Sequence, residues 1–182
     1  MNNIIGLYGH RRVGKDTFAN ALLENHSTLE SYAFADALKL ELSPFVQEQY
    51  HLDIFNVSGD DKELIRPLLI AHGMVRRAQD PLYWVKKVDE WVGDSHNRKI
   101  NHISVIKDCR FPNEYDYMKG KYGKSFVLVG LSRAGSLPPT DEEERNEKEM
   151  EKRVDISVHL PNVSDFKKLI PIATSILGKI QQ

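Results

Sequence analysis

Residues 9–17, Gly-His-Arg-Arg-Val-Gly-Lys-Asp-Thr, place a lysine directly after the second of two glycines that bracket four residues. Glycines at that spacing let the backbone curl so that successive N–H groups point inward, and a helix starting near Lys15 adds the positive end of its dipole; together these attract phosphate. Lys15 can then reach the β- and γ-phosphates of a nucleotide. The pattern G-x-x-x-x-G-K-[ST] expects a hydroxyl after the lysine, and this chain has Asp16 there. A carboxylate at that place can hold Mg²⁺ directly or through water, and Thr17 offers a hydroxyl one residue later. Gly9, His10, Arg11, Arg12, Val13, Gly14, Lys15, Asp16 and Thr17 are therefore the candidate ATP-binding residues, with Asp16 and Thr17 as metal ligands. The other reading is a glycine-containing strand-to-helix turn with no ligand. A second segment, VIKDCRFPNE at 105–114, ends a β-branched run on Asp108 and carries Arg110 two residues later. Asp108 suits a second magnesium-orienting carboxylate, a helix cap before RFPNE being its alternative use.

These residues need elements to hold them. Residues 4–8 form a short apolar run before the first glycine, and Phe18, Ala21, Leu22 and Asn25 follow at helical spacing, so the opening reads strand, turn, helix. A second strand is expected at 32–35, then a helix from Asp36 through Leu38, Leu42, Phe45 and Val46. Residues 51–61 read as loop, and Pro67 fits the first turn of the next helix. Asp80-Pro81 caps another, whose Trp84, Val85, Val88, Trp91 and Val92 lie on one side; that face is core or a homodimer contact. Strands are expected at 102–108 and 125–131, with a helix of about ten residues between them. The charged stretch after Arg133 has almost no apolar stripe and reads as exposed and mobile. Val154, Ile156, Val158 and Leu160 alternate as a strand near a sheet edge, and a last amphipathic helix, interrupted at Pro171, ends the chain. Strand–helix alternation of this kind predicts a doubly wound α/β fold with ligands at the carboxyl ends of the strands.

The 182 residues suit one domain, and a formal charge of −1, from 25 basic and 26 acidic residues, supplies no general field for nucleic acid or a membrane. One cysteine excludes an intrachain disulfide and a multi-cysteine metal site. No signal-like segment precedes the first strand and no apolar run approaches the roughly 18 residues that span a bilayer, so a cytoplasmic location is expected. The loop alone is shared by switches, motors and kinases. No Asn-Lys-x-Asp guanine-reading segment is present, and a motor would be larger.

Four segments, GHRRVGKDT, AFADALK (33–39), RPLLIAHGMVRRAQDPLYWVKKV (66–88) and KDCRFPNE (107–114), resemble the phage-type deoxynucleoside monophosphate kinases, a branch of the P-loop nucleoside monophosphate kinases. The likeness runs from Met1 to about Leu131 and more weakly through 154–169. It implies a three-layer α/β/α P-loop kinase fold over residues 1–182, with a five-stranded, mainly parallel sheet, a helical acceptor-binding region at about 36–92 and a lid at about 132–153. It also implies transfer of the ATP γ-phosphoryl to a deoxynucleoside monophosphate, with ATP and Mg²⁺ as cofactors and nucleotides as partners. Asp16, Thr17 and Asp108 would organise the metal, and Lys15, Arg110 and Arg133 would stabilise the transferring group. Asp36, Lys39, Arg66, Arg76 and Arg77 would meet the acceptor; Arg76 and Arg77 point about 100° apart on a helix, so one of them faces the site. The family's His-x-Ser-Glu lid segment is replaced by TDEEERNEKEMEKR, where Arg145 and Arg153 are the remaining phosphate candidates. Rival readings are a P-loop kinase for another small acceptor, such as dephospho-coenzyme A or a phosphorylated alcohol, and a nucleotide-binding protein without turnover.

Overall fold

A computed structural model describes residues 2–24, 26–135, 141–162 and 166–181. Asn25, the Pro138-Pro139 part of the charged stretch and residues 163–165 of the last resembling segment lie outside the described residues. Five strands, β1 (Asn3–Tyr8), β2 (Leu29–Tyr32), β3 (Ile103–Ile106), β4 (Phe126–Arg133) and β5 (Ile156–Leu160), form one sheet in the order β2-β3-β1-β4-β5. Every pairing is parallel. β1 therefore lies centrally between β3 and β4, and the turn after it opens at the middle of the sheet's carboxyl edge, where open α/β sheets bind ligands.

The two-residue period of β1 and β4 assigns their side chains to two faces. Ile5, Leu7, Val129 and Leu131 pack with Phe18 and Leu22 of α1 (Lys15–Leu23) and with Ala173, Ile176 and Leu177 of α7 (Ile170–Ile180). Ile4, Phe126 and Leu128 pack on the other face, against α2 (Phe34–Tyr50), α4 (Tyr83–Arg98) and α5 (Pro112–Tyr122). Gly6 completes that face: a Cβ there would lie 2.9 Å from the Phe126 ring, so the glycine admits the aromatic. Trp84, Val85, Val88 and Val92 are buried in the same cluster, which makes the apolar side of α4 core. No helix among the described residues is long and apolar enough to cross a membrane.

Three elements depart from expectation. The second strand ends at Tyr32 instead of beginning there, because Phe34 and Ala37 point from the first turn of α2 into the core. Helix α3 (Gly59–Gln79) starts eight residues before Pro67, just after its N-cap Ser58; its polar first turns show no apolar stripe, and Pro67 sits mid-helix on an exposed side. The charged stretch contains α6 (Asp141–Glu151), which is docked: Met150 is fully buried against the α4–α5 face, and Arg153 forks onto Asp116 of α5 at 2.9 and 3.0 Å. Pro171 behaves as expected, separating a short 3₁₀ turn at Phe166–Leu169 from α7.

At the opposite end of the sheet from the turn after β1, Glu30 of β2 accepts hydrogen bonds from Tyr32 and Ser95 at 2.8 Å and pairs with Lys99. Its Oε2 lies 3.6 Å from Nε2 of His102, a fully buried imidazole neither of whose nitrogens makes a hydrogen bond. Burial lowers the pKa of His102, partly offset by the Glu30 charge, and lowers that of neighbouring His96, helped by His102. Lys99 and Tyr32 hold Glu30 down at about 2. A histidine depressed in the folded state is protonated first in the unfolded chain, so its cost is absent above the usual imidazole range near about 6.5 and grows as pH falls through it. Glu30 acts later, its contribution being lost between the ordinary carboxylate range and about 2. The urea midpoint is accordingly expected to fall in two steps on acidification, and His102→Phe should remove most of the first. A midpoint flat from neutral to about pH 5 would contradict the buried neutral imidazole.

Candidate active site

The turn after β1 takes its shape from three left-handed positions, Gly9 (φ 149°), Arg12 (φ 60°) and Gly14 (φ 108°). A Cβ at Gly9 would lie 2.6 Å from the Leu131 carbonyl oxygen, so β4 can pass beside the turn only because that side chain is absent. Val13 is buried in the α1–α7 core and anchors the turn from below. Gly14 then caps α1, whose first turn carries Asp16. Lys15 is almost wholly buried, and its Nζ donates to the carbonyls of Gly9 and, at 2.9 Å, of His10.

In front of this turn lies a cleft of about 850 Å³. It is lined by Arg11, Arg12 and Gly14 through Thr17 of the turn and first helix, by Lys62, Glu63 and Arg66 of α3, and by Arg110 and Arg133. Seven cationic side chains line it (Arg11, Arg12, Lys15, Lys62, Arg66, Arg110 and Arg133) against three carboxylates (Asp16, Asp60 and Glu63), a balance that favours a polyanion. Arg133, at the end of β4, donates to the Arg12 carbonyl at 2.6 Å and so braces the turn. His10 pairs with Glu147 of α6 at 2.9 Å, which brings the acidic helix beside the same turn.

A second cavity of about 280 Å³ adjoins it, walled by Phe34, Leu38, Trp84 and Phe111 and edged by Lys39, Arg77, Asp108, Arg110 and Glu114. Arg110 lines both spaces. Its backbone is fixed by Glu114, whose Oε2 accepts the amides of Arg110 at 2.7 Å and of Phe111, the N-cap of α5, at 3.0 Å.

The other sequence candidates divide between these spaces. Lys39 and Arg77 line the second cavity, and the Arg77 guanidinium lies 4.8 Å over the Phe111 ring. Arg76 is turned away, engaged by Glu41 at 3.1 Å and the Tyr83 ring. Arg66 lies in the first cleft, held by Glu63 at 3.1 Å, and Asp36 lines neither space but sits 3.6 Å from Lys39. Asp108 lines the second cavity, whereas Asp16 and Thr17 line the first cleft. Its Oδ1 accepts from Phe34 N at 2.8 Å and its Oδ2 from Ala35 N at 3.0 Å, so it ties the end of β3 to the first turn of α2; burial raises its pKa and the two amides lower it in part. The helix it caps is thus α2, distant in sequence, instead of the one that follows it. Arg153 is spent on Asp116 and Glu149, and Arg145 lines neither space.

Lys62, Glu63 and Glu114 were not singled out by spacing. The first two begin a helix with no apolar signal, whereas Glu114 stands three residues after Phe111, the spacing of a capping box. Asp16 and Thr17 offer hard oxygen donors beside Lys15, which fits a magnesium ion that completes its shell with phosphate oxygens and water. Among the described residues no group of three or more His, Cys, Asp or Glu is placed to hold a metal unaided.

Residues 7–124 match the family model described as phosphomevalonate kinase. Solved structures with a similar fold include dephospho-CoA kinase from Campylobacter jejuni, 12% identical over 100% of both chains with a TM-score of 0.54. The tunicamycin resistance protein of Deinococcus radiodurans is 14% identical over 98% of this chain and 96% of its own, with a TM-score of 0.50. A sugar kinase from Janibacter sp. HTCC2649 is 13% identical over 98% and 95%, also at 0.50. At these identities the likeness is one of fold. No curated protein matches the sequence.

Proposed function

We propose that this chain, which belongs to the phosphomevalonate kinase family, transfers the γ-phosphoryl group of ATP to the phosphate of a deoxynucleoside monophosphate, releasing ADP and the deoxynucleoside diphosphate. Family and fold together make it a P-loop kinase acting on a small molecule. The observation that carries the finer reading is the pair of adjoining spaces with Arg110 common to both: one cationic and shaped for phosphates, the other walled by Phe34, Trp84 and Phe111. Flat aromatic walls with a few polar edges suit a heteroaromatic base. The whole chain, 1–182, is read as one kinase unit with its acceptor region at about 36–92 and its lid at about 132–153, working in the cytoplasm without nucleic acid or membrane.

In this reading the amides of the turn and Lys15 orient the triphosphate, and Asp16 and Thr17 hold magnesium, which when bound neutralises phosphate charge. Asp108 positions the first turn of α2 and so the Phe34 wall. Arg110 and Arg133 meet the charge on the transferring group, Lys39 and Arg77 meet the acceptor, and Arg66 supplies a cation from α3. The attacking phosphate oxygen is already anionic at neutral pH, so no general base is needed; the residues overcome repulsion between two polyanions.

A second reading is a phosphorylated alcohol as acceptor, favoured by the family match and by the cations Lys39 and Arg77 in the second cavity. The separating experiment offers deoxynucleoside monophosphates, ribonucleoside monophosphates, phosphomevalonate and dephospho-coenzyme A with Mg·ATP and follows ADP. Release with the deoxynucleotides is expected. Release only with phosphomevalonate or dephospho-coenzyme A would replace the reading, and nucleotide binding without ADP from any acceptor would make the chain a binding protein.

A further inference from the structure

The second cavity contains one carboxyl whose surroundings decide which chemical form it takes. Glu114 is only 3% exposed yet lines the cavity. Both backbone donors that reach it, the amides of Arg110 and Phe111, end on Oε2. Oε1 is the oxygen left for another partner. The charged and titratable groups around it are Arg77 from α3, Lys39 across the cavity on α2, and Asp108, Cys109 and Arg110 from the β3–α5 turn. Its pKa is raised to about 8, burial being the largest cause and the Asp108 charge adding to it, while the two amides and Arg77 oppose the rise. The saturated Oε2 leaves the proton on Oε1.

Resting on the acceptor reading above, we propose that Glu114 is a specificity-determining residue that presents an O–H donor from Oε1 to the edge of the base held between the aromatic walls. The consequence is a preference set by base chemistry. A carbonyl oxygen, as on thymine, accepts that hydrogen bond, whereas an exocyclic amine, as on cytosine, donates more strongly to the ionised carboxylate than to the carboxyl hydroxyl. One hydrogen-bonding edge of this kind is worth about 1–3 kcal/mol of discrimination, and about 1.4 kcal/mol, toward the lower end, is a tenfold change in affinity. Raising the pH across the Glu114 titration therefore exchanges one preference for the other. The phosphate of the acceptor completes its second ionisation near about pH 6, below this window, so it does not produce the exchange.

The test is calorimetric binding of thymidine monophosphate and deoxycytidine monophosphate to the whole protein at about pH 7 and about pH 9, either side of that titration. The affinity ratio of thymidine to cytidine nucleotide should fall about tenfold between the two. Near pH 8, heats measured in buffers of different ionisation enthalpy should show proton uptake with thymidine monophosphate and proton release with its partner. In Glu114→Gln the amide keeps one oxygen for the two backbone donors and a permanent N–H for the base, so the ratio should lose its pH dependence. A wild-type ratio unchanged by pH, or a shift that persists in the glutamine variant, overturns the role of Glu114 while leaving the acceptor reading in place. Failure of both nucleotides to bind at either pH overturns both. The proton-linkage measurement uses the unaltered protein and decides the question even where the variant does not fold.

Discussion

Lys15→Ala lowers the rate of ADP formation by about 10³-fold, the scale set by removing one preorganised charge from a transferring group, while thermal unfolding stays close to that of the unaltered protein. Lys15 is almost wholly buried, which would suggest a structural cost, but its Nζ is bonded to the Gly9 and His10 carbonyls at the floor of an open cleft. Once the side chain is cut back, water can reach those carbonyls, so the loss is that of a hydrogen bond exchanged with solvent, about 1 kcal/mol. The turn itself does not depend on the lysine. It is set by Gly9 against β4, Val13 in the core and the Arg133 brace on Arg12. The same geometry says what the lysine must do on binding: leave two neutral oxygens for charged phosphate ones, an exchange favoured in a cleft where cations outnumber carboxylates. Parallel measurement of ADP release and of the melting curve checks both halves. Turnover within tenfold of the unaltered protein would remove Lys15 from the reaction.

What could be read from the sequence, and what could not, follows the range of the interactions. The strand–turn–helix at 3–23 is local: an apolar run, two glycines and an amphipathic helix lie within one stretch, and each was visible there. Parallel pairing was legible in buried β-branched strands alternating with helices, whereas the strand order was not. The errors arose where distant contacts override the local pattern. Residues 32–35 look like a strand, yet Phe34 belongs to a helix whose first amides are claimed by Asp108, some seventy residues later. The start of α3 carries no stripe because it faces the cleft rather than the core, so Lys62 and Glu63 reached the phosphate side unannounced, and Arg66, expected beside the acceptor, lines the same cleft. Helix α6 is docked through buried Met150 and the Glu147 pair with His10, with Arg153 on Asp116 just beyond its end; one apolar anchor and two ion pairs leave no periodic apolar stripe to detect.

Arg110→Ala should separate catalysis from binding, with kcat falling about 10²- to 10³-fold and the KM for ATP changing only a few-fold. The side chain is exposed and makes no hydrogen bond among those described, while its backbone is clamped by Glu114. Its position between the two spaces makes it the cation best placed to follow charge as the phosphoryl group passes from one to the other. Such an interaction strengthens only in the transition state, which is why its loss appears in kcat. Arg133 supplies the contrast. Its guanidinium already braces the Arg12 carbonyl, so Arg133→Ala should loosen the turn that holds the donor and raise the KM for ATP together with any loss in kcat. Arg110→Lys keeps a charge but not the planar fork that spans two oxygens, and should recover only part of the rate. A change confined to KM in Arg110→Ala would place that guanidinium in ground-state binding, and the two cavities would then need some other residue to join them.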